Sequence, residues 1–233
     1  MSEPLPIVLV PGLLCTSRLY AGQIEELWRA GPVTIADHTR DDSMAGAARR
    51  ILADAPPRFA LAGLSMGGYI AFEILRQAPE RVARLALLDT TARPDTPEQT
   101  EARRGQIALT ESGRFAEVPE LLMPKLLHPT HQGDAGLRAA VVEMAEAIGP
   151  AAFVVQQRAI IGRIDSRPSA GAIRCPTLVL VGDGDAITPP DRAEEMAGLI
   201  GGARFVTIPV CGHLSSLERP REVARALADW LRQ

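Results

Sequence analysis

The chain has 233 residues, of which 46% are hydrophobic and 23% charged. These values are typical of one compact globular domain and not of a disordered or fibrous chain. The net charge of −3 gives no overall basic field for a phosphate backbone, so the sequence predicts no nucleic-acid partner. Three widely spaced cysteines, Cys15, Cys175 and Cys211, do not form a disulfide pattern and are interpreted as small buried hydrophobic residues.

The N-terminal residues MSEPLPIVLVPG lack the basic start and the apolar stretch of a signal peptide. No apolar run approaches the roughly 18 residues that a transmembrane helix needs. Because the cysteines also look reduced, we expect a cytoplasmic protein with no membrane partner.

Short apolar runs rich in β-branched residues alternate with amphipathic stretches along most of the chain. Such alternation predicts an α/β fold, in which helices flank a mostly parallel, doubly wound sheet of about six strands. The predicted strands cover 6–10, 33–36, 58–64, 84–88, 177–181 and 203–208. The predicted helices beside them cover 17–30, 43–55, 67–77, 190–200 and 220–232.

The alternation is interrupted between residues 93 and 172, where no strand pattern occurs. Prolines and glycines divide this segment into four predicted helices, at 98–112, 115–127, 134–148 and 150–162. We therefore predict a core formed by 1–92 and 173–233. Residues 93–172 are predicted to form a helical lid inserted within the same domain, and extra helices on one sheet face are the alternative.

The sequence GLSMG at 63–67 is a G-x-S-x-G motif between a predicted strand and a predicted helix, the context that a nucleophile elbow requires. Glycines are needed there because the turn is too tight for neighbours with a Cβ atom. The turn places the Ser65 hydroxyl at the carboxyl edge of the sheet and at a helix N-terminus, which favours negative charge. Ser65 is the candidate nucleophile.

A serine nucleophile needs a base, and the base needs a group that orients it. His213 follows the last predicted strand and so lies at the same sheet edge as Ser65. His38 is interpreted as a loop histidine. The pair His128 and His131 has a spacing that could bind metal, but no third ligand is near in the sequence, and we interpret both as solvated.

Three aspartates at strand ends are candidates for the orienting acid: Asp89, Asp183 and Asp185. Each also suits an ordinary role as a turn or helix-capping residue. Their order along the chain decides little among them.

Together these residues resemble the α/β-hydrolase superfamily over nearly the whole chain, in the order Ser65, Asp185, His213. The likeness is greatest to small bacterial carboxylesterases and enol-lactonases. Gly182, Asp185, Thr188 and Pro189 match the family pattern after the penultimate strand. The resemblance thus gives the acid role to Asp185. Asp89 stays an alternative, because some relatives have the acid at the end of the strand that Asp89 follows.

The family's Gly-His followed by Glu-x-Pro matches Gly212, His213, Glu218 and Pro220. The family usually has a short hairpin before the first core strand. Because the first predicted strand begins at residue 6, we expect six parallel strands without that edge pair. The family resemblance also implies that the helices at 93–172 cover the active site.

The resemblance implies an oxyanion hole formed by two main-chain N–H groups. One belongs to Met66, which follows the nucleophile, and the other to Leu13, which follows Pro11-Gly12 where the family has His-Gly. Because that histidine is absent, Leu14 is an alternative donor.

The expected activity is therefore that of a serine hydrolase acting on a small to medium carboxylic ester, lactone or thioester through an acyl-enzyme, without cofactor or metal. The apolar composition of 93–172 favours an apolar acyl pocket. Arg158 and Arg163 are candidates for binding a substrate carboxylate, although surface arginines on a helix are the more ordinary interpretation. Two alternatives stay open: a perhydrolase or haloperoxidase-like activity on the same triad, and a non-catalytic small-molecule-binding protein.

Overall fold

The computed structural model describes residues 4–232. They contain a six-stranded sheet with the strand order β2-β1-β3-β4-β5-β6, and each neighbouring pair is parallel. The strands are β1 (Ile7–Val10), β2 (Val33–Ile35), β3 (Phe59–Leu64), β4 (Val82–Leu88), β5 (Thr177–Gly182) and β6 (Arg204–Ile208). The predicted α/β fold with six parallel strands is confirmed.

Helices connect the strands in the order that the hydrophobic periodicity predicts. Before β5 they are α1 (Ile24–Ala30), α2 (Met44–Asp54), α3 (Met66–Gln77), α4 (Pro97–Leu109), α5 (Val118–Leu126), α6 (Ala135–Ile161) and α7 (Arg167–Ala170). After β5 they are α8 (Pro190–Leu199), the short α9 (Ser215–Glu218) and α10 (Pro220–Leu231). Helices α4 to α7 occupy the segment between β4 and β5, which is called the insertion below.

The apolar residues form two core layers, one on each face of the sheet, because the central strands are buried on both sides. Strands β1, β3 and β5 are buried at every position. Helices α2, α3 and α8 cover one face, and α1 and α10 cover the other. This two-sided burial holds the strand ends in place, and the functional side chains project from those ends.

Strand β6 differs from the expectation of a buried strand. Its residues from Arg204 to Thr207 are partly or fully exposed, because β6 is the edge strand and pairs only with β5. An apolar β-branched run cannot by itself distinguish an edge strand from a central one.

The insertion contains a long bent helix where the sequence predicts two. Helix α6 runs for 27 residues, and Gly149, with φ of 77°, bends it ahead of Pro150. By length and composition alone α6 is long and apolar enough to cross a membrane, with a mean hydropathy of 1.4 over its best window. Its bend and its contacts with α4 and α5 fit a helix that packs within the fold.

The two tryptophans offer a matched test of the core. Trp230 on α10 is fully buried and donates from Nε1 to the Pro176 carbonyl at 3.3 Å, whereas Trp28 on α1 is 72% exposed. We expect Trp230→Ala to lower the free energy of unfolding by about 3–5 kcal/mol, since it opens a large cavity. Trp28→Ala should change it by less than about 0.5 kcal/mol. Urea unfolding followed by circular dichroism measures both, and equal losses would contradict this description of the core.

Candidate active site

The carboxyl ends of the parallel strands bring the candidate residues to one edge of the sheet. Ser65 follows β3, the loop with Asp185 follows β5, and the loop with His213 follows β6. The three side chains are nearly inaccessible to solvent. Residues far apart in sequence thus share one buried site.

Ser65 occupies a strained turn between β3 and α3. Its backbone has φ of 55° and ψ of −113°, a region that costs a residue with a side chain on the order of 1–3 kcal/mol. A Cβ atom at Gly63 would overlap the carbonyl of Gly67, and a Cβ at Gly67 would overlap the carbonyl of Val10. The glycines of the motif are therefore required by close backbone contact.

A continuous chain of hydrogen bonds links the three candidate residues. His213 Nε2 lies 2.8 Å from Ser65 Oγ, and His213 Nδ1 lies 2.8 Å from Asp185 Oδ2. Asp185 also accepts from the main-chain N–H groups of Ile187 and Thr188 and from the Thr188 hydroxyl, at 2.8–2.9 Å. These donors satisfy the hydrogen-bonding capacity of the buried carboxyl group and fix its orientation toward the imidazole.

The surroundings of His213 determine its protonation. Burial alone would lower the pKa of the imidazole, but the charge of Asp185 and the hydrogen bond to it outweigh burial, so the pKa of His213 is raised above 6.5. The neutral ring with its proton on Nδ1 would present Nε2 as an acceptor to the Ser65 hydroxyl.

The three candidate aspartates have different hydrogen-bond partners. Asp89 accepts from the N–H groups of Gly182 at 3.0 Å and Ser215 at 3.2 Å, and burial together with the nearby Asp185 charge raises its pKa to about 8. Asp183 accepts from the Cys211 N–H at 3.0 Å. Of the three, Asp185 is the one within hydrogen-bonding distance of the His213 ring.

The main-chain N–H groups of the predicted oxyanion donors, Leu13 and Met66, have no hydrogen-bond partner in the described part of the chain, whereas that of the alternative donor Leu14 has one. Within residues 4–232 no acceptor lies in hydrogen-bonding range of the Leu13 or Met66 N–H. The Leu14 N–H, in contrast, donates to Gln156 Oε1 at 3.2 Å. Leu13 and Met66 are thus the residues whose N–H groups stay available for a substrate oxygen.

His38 lies in the loop after β2, where the sequence places it, and it supports the loop that carries Leu13. The ring is 2% exposed, and its Nε2 lies 2.9 Å from the Gly12 carbonyl and 3.0 Å from Gln156 Nε2. Burial lowers the pKa of His38, and the neutral ring with its proton on Nε2 donates to the Gly12 carbonyl. The Gln156 amide nitrogen then packs beside this N–H and does not donate to it. Sequence reasoning missed this contact because His38 and Gln156 lie 118 residues apart.

Glu218 joins the insertion to the His213 loop, and this contact corrects the interpretation of His131 as a solvated residue. Glu218 Oε1 accepts from the Gly212 N–H at 2.8 Å, and Oε2 accepts from the His128 N–H at 2.9 Å. His131 Nδ1 lies 2.7 Å from the same Oε2. The His128 main chain and the His131 ring thus both contact Glu218 and hold the insertion to the His213 loop. No cluster of three or more metal-ligating side chains occurs in residues 4–232.

Arg158 and Arg163 have partners other than a substrate. Arg158 is more than half exposed and pairs with Glu111 at 3.3 Å. Arg163, expected on the surface, is 5% exposed in its side chain and pairs with Asp95 at 2.6 Å. Its guanidinium also lies over the Tyr69 ring, 4.3 Å from the centroid. The expectation of a surface position is therefore wrong for Arg163.

A cavity of about 180 Å³ opens beside Ser65 and His213. Helices α4, α5 and α6 of the insertion contribute most of its wall, and the Gly12–Cys15 loop contributes another part. Most lining side chains are apolar, including Leu122, Val141 and Met144. The insertion therefore forms the wall of the site, above the carboxyl edge of the sheet.

Comparison with known proteins gives consistent results. A family model described as the alpha/beta hydrolase fold matches residues 38–220. The pimeloyl-[acyl-carrier protein] methyl ester esterase of Aromatoleum aromaticum is 30% identical over 195 residues, covering 78% of this chain and 77% of that protein.

Solved structures agree with that match. A thermophilic esterase from Thermogutta terrifontis, solved with malate bound, is 32% identical with a TM-score of 0.90, covering 99% of this chain and 90% of that one. The enol-lactonase from Burkholderia xenovorans is 23% identical with a TM-score of 0.89, covering 100% and 93%, which shows the shared fold. The chain therefore belongs to the α/β-hydrolase family, as an enzyme of the carboxylic ester hydrolase class.

Proposed function

We propose that this enzyme is a serine hydrolase that cleaves a small to medium carboxylic ester, or a related lactone or thioester, through an acyl-enzyme. The observation that carries the proposal is the unbroken hydrogen-bonded chain from Ser65 Oγ through the His213 ring to Asp185. Such a chain lets a neutral imidazole accept the serine proton while the carboxylate stabilises the resulting imidazolium.

In this mechanism Ser65 Oγ attacks the carbonyl carbon while His213 Nε2 takes the hydroxyl proton. The Leu13 and Met66 N–H groups donate to the oxygen that becomes negatively charged. His213 then protonates the leaving alcohol as the tetrahedral intermediate collapses to the Ser65 ester. Water, deprotonated by His213, hydrolyses that ester and regenerates the serine.

The size and lining of the cavity support the substrate range. A volume of about 180 Å³ holds roughly six water molecules at their share of liquid volume. Its apolar walls favour an acyl chain over a sugar, because a buried hydroxyl without a partner is costly. A short or medium chain fits this space.

Replacing the nucleophile tests the proposal. We expect Ser65→Ala to lower kcat/KM for p-nitrophenyl acetate by at least about a thousandfold, whereas Ser112→Ala, on the exposed turn after α4, should match wild type. A fluorophosphonate should label wild type at Ser65, as peptide mass spectrometry can show. Full activity in a folded Ser65→Ala variant would contradict the proposal.

The pH dependence follows from the raised pKa of His213. A protonated imidazole cannot accept the serine proton, so kcat/KM should fall as pH decreases through the pKa of His213. Because that pKa lies above 6.5, the acid limb should have its midpoint above pH 6.5. Initial rates between pH 5 and 9, with circular dichroism as a folding control, measure it. Constant activity down to pH 5 would show that His213 is not the base.

Gln156 offers a test of the oxyanion loop that leaves the triad unchanged. We expect Gln156→Met, which removes the acceptor for the Leu14 N–H, to lower kcat about tenfold to a hundredfold with little change in KM, because a displaced donor weakens transition-state stabilisation. Gln156→Glu keeps an acceptor and should retain more activity. Gln77→Met on the outer face of α3 is the control. An unchanged kcat in Gln156→Met would show that this contact does not position the loop.

A further inference from the structure

The charged residues of the cavity wall have one sign. Arg103 on α4 and Lys125 on α5 line the cavity together with Ser65 and His213, and no Asp or Glu of residues 4–232 lines it. Both charges favour an anionic ligand over a cationic one.

Helix α4 directs hydrogen-bond donors toward this cavity. Gln99, Ala102, Arg103 and Gln106 line it, a spacing that places them on one helical face. Gln99 Oε1 is already occupied, since it accepts from the Thr96 N–H at 3.0 Å in the capping box that begins the helix. The free polar atom of the Gln99 side chain is thus the donor Nε2.

The orientation of Gln106 follows from Arg103. Arg103 Nη1 can only donate, so the Gln157 atom 2.8 Å away is Oε1. Gln157 Nε2 must then donate to Gln106, whose Oε1 lies 2.5 Å from it. The polar atom that Gln106 has left is therefore also the donor Nε2.

Arg103 itself keeps free N–H donors. Its Nε pairs with Asp95 Oδ2 at 2.8 Å and its Nη1 with Gln157, while Nη2 has no partner among the described residues. Three side chains on one face of α4 consequently have free donors, and each of their two amide oxygens already accepts a hydrogen bond. An acceptor-only group, such as a carboxylate, matches them.

The charged side chains around Asp95 also favour binding of an anion. Asp95 is 2% exposed in its side chain and pairs with two guanidinium groups, those of Arg103 and Arg163. One carboxylate therefore offsets two positive charges, of which Arg163 is buried and Arg103 partly exposed, and leaves one uncompensated. A ligand with a single negative charge would neutralise this cluster, because buried charge is stable when it is paired.

Lys125 on α5 adds a second positive charge to the cavity wall. It is the only lysine of the sequence. No acidic side chain of residues 4–232 lies within 4 Å of its ammonium group, whereas sixteen arginines have an acidic partner at that distance. It directly precedes Leu126, whose carbonyl accepts from the His213 N–H at 3.0 Å.

We propose that the α4 face formed by Gln99, Arg103 and Gln106 is a carboxylate subsite, so that the preferred substrate is a monoester that carries one free carboxylate on its acyl chain. The inference rests on the proposed hydrolase function and specifies its substrate class. The carboxylate lies against α4 while the ester carbonyl reaches Ser65, and Lys125 adds attraction for the anionic substrate.

Two substrates of almost equal shape test the subsite. Monomethyl glutarate carries a carboxylate, and the methyl ester of glutaric acid monoamide replaces it with a neutral amide. We expect wild type to prefer the carboxylate by at least about tenfold in kcat/KM at low salt, the scale of one charge-assisted hydrogen bond. A preference for the amide would overturn the proposal.

Neighbouring arginines on α4 provide a matched pair of variants. Arg103→Met should reduce the carboxylate preference about tenfold, and Arg103→Lys should reduce it less, because it keeps the charge without the planar fork. Arg104→Met removes the same charge from an exposed residue that pairs with Glu101 and should leave the preference within about twofold of wild type, since exposed charges are screened. Equal effects of Arg103→Met and Arg104→Met would reject a specific subsite.

Binding to the Ser65→Ala variant separates the two proposals. Calorimetry should show glutarate binding at least about tenfold more tightly than glutaramide, and more tightly than inorganic phosphate. If glutarate binds no better than glutaramide while wild type cleaves p-nitrophenyl acetate, the subsite is wrong and the hydrolase function stands. If glutarate binds as expected but no ester is cleaved, the hydrolase function fails and the subsite stands. Tighter binding of phosphate would overturn the carboxylate assignment.

Discussion

The site depends on the buried carboxylate of Asp185. An ionised carboxylate in a dry interior must be surrounded by donors, and the turn after β5 supplies two main-chain N–H groups and the Thr188 hydroxyl. The carboxylate is also hydrogen-bonded to His213 Nδ1, and His213 Nε2 is hydrogen-bonded to Ser65 Oγ. The carboxyl of Asp89 is also buried, and burial together with the nearby Asp185 charge raises its pKa. It holds the loops after β5 and β6 and does not contact the ring.

The insertion forms part of the site itself. The Leu126 carbonyl accepts from the His213 and Leu214 N–H groups, and Glu218 joins the Gly212 N–H to the start of the turn after α5. Gln156 on α6 holds the Leu14 N–H. The helices that form the cavity wall therefore also position the base and the oxyanion loop, so changes in the insertion should affect both chemistry and binding.

The sequence alone predicted the six strands, the α/β class and the elbow at Ser65, because two-sided burial and the tight turn have strong local signals in apolar runs and in glycine spacing. It left the acid open among Asp89, Asp183 and Asp185, and the family resemblance was needed to choose. It misjudged His131 and Arg163, and it did not reveal the partners of His38, because the surroundings of all three come from distant segments.

What the sequence determined by itself is local: where strands and helices form, where the chain turns sharply, and which residue types stand at strand ends. The tertiary structure decided which of these residues meet. Gln106, Gln157 and Arg103 orient one another across two helices, and Glu218 contacts the turn 90 residues before it. Such contacts leave no periodic pattern, because hydrogen-bond direction and charge pairing depend on positions in space and not on separation along the chain.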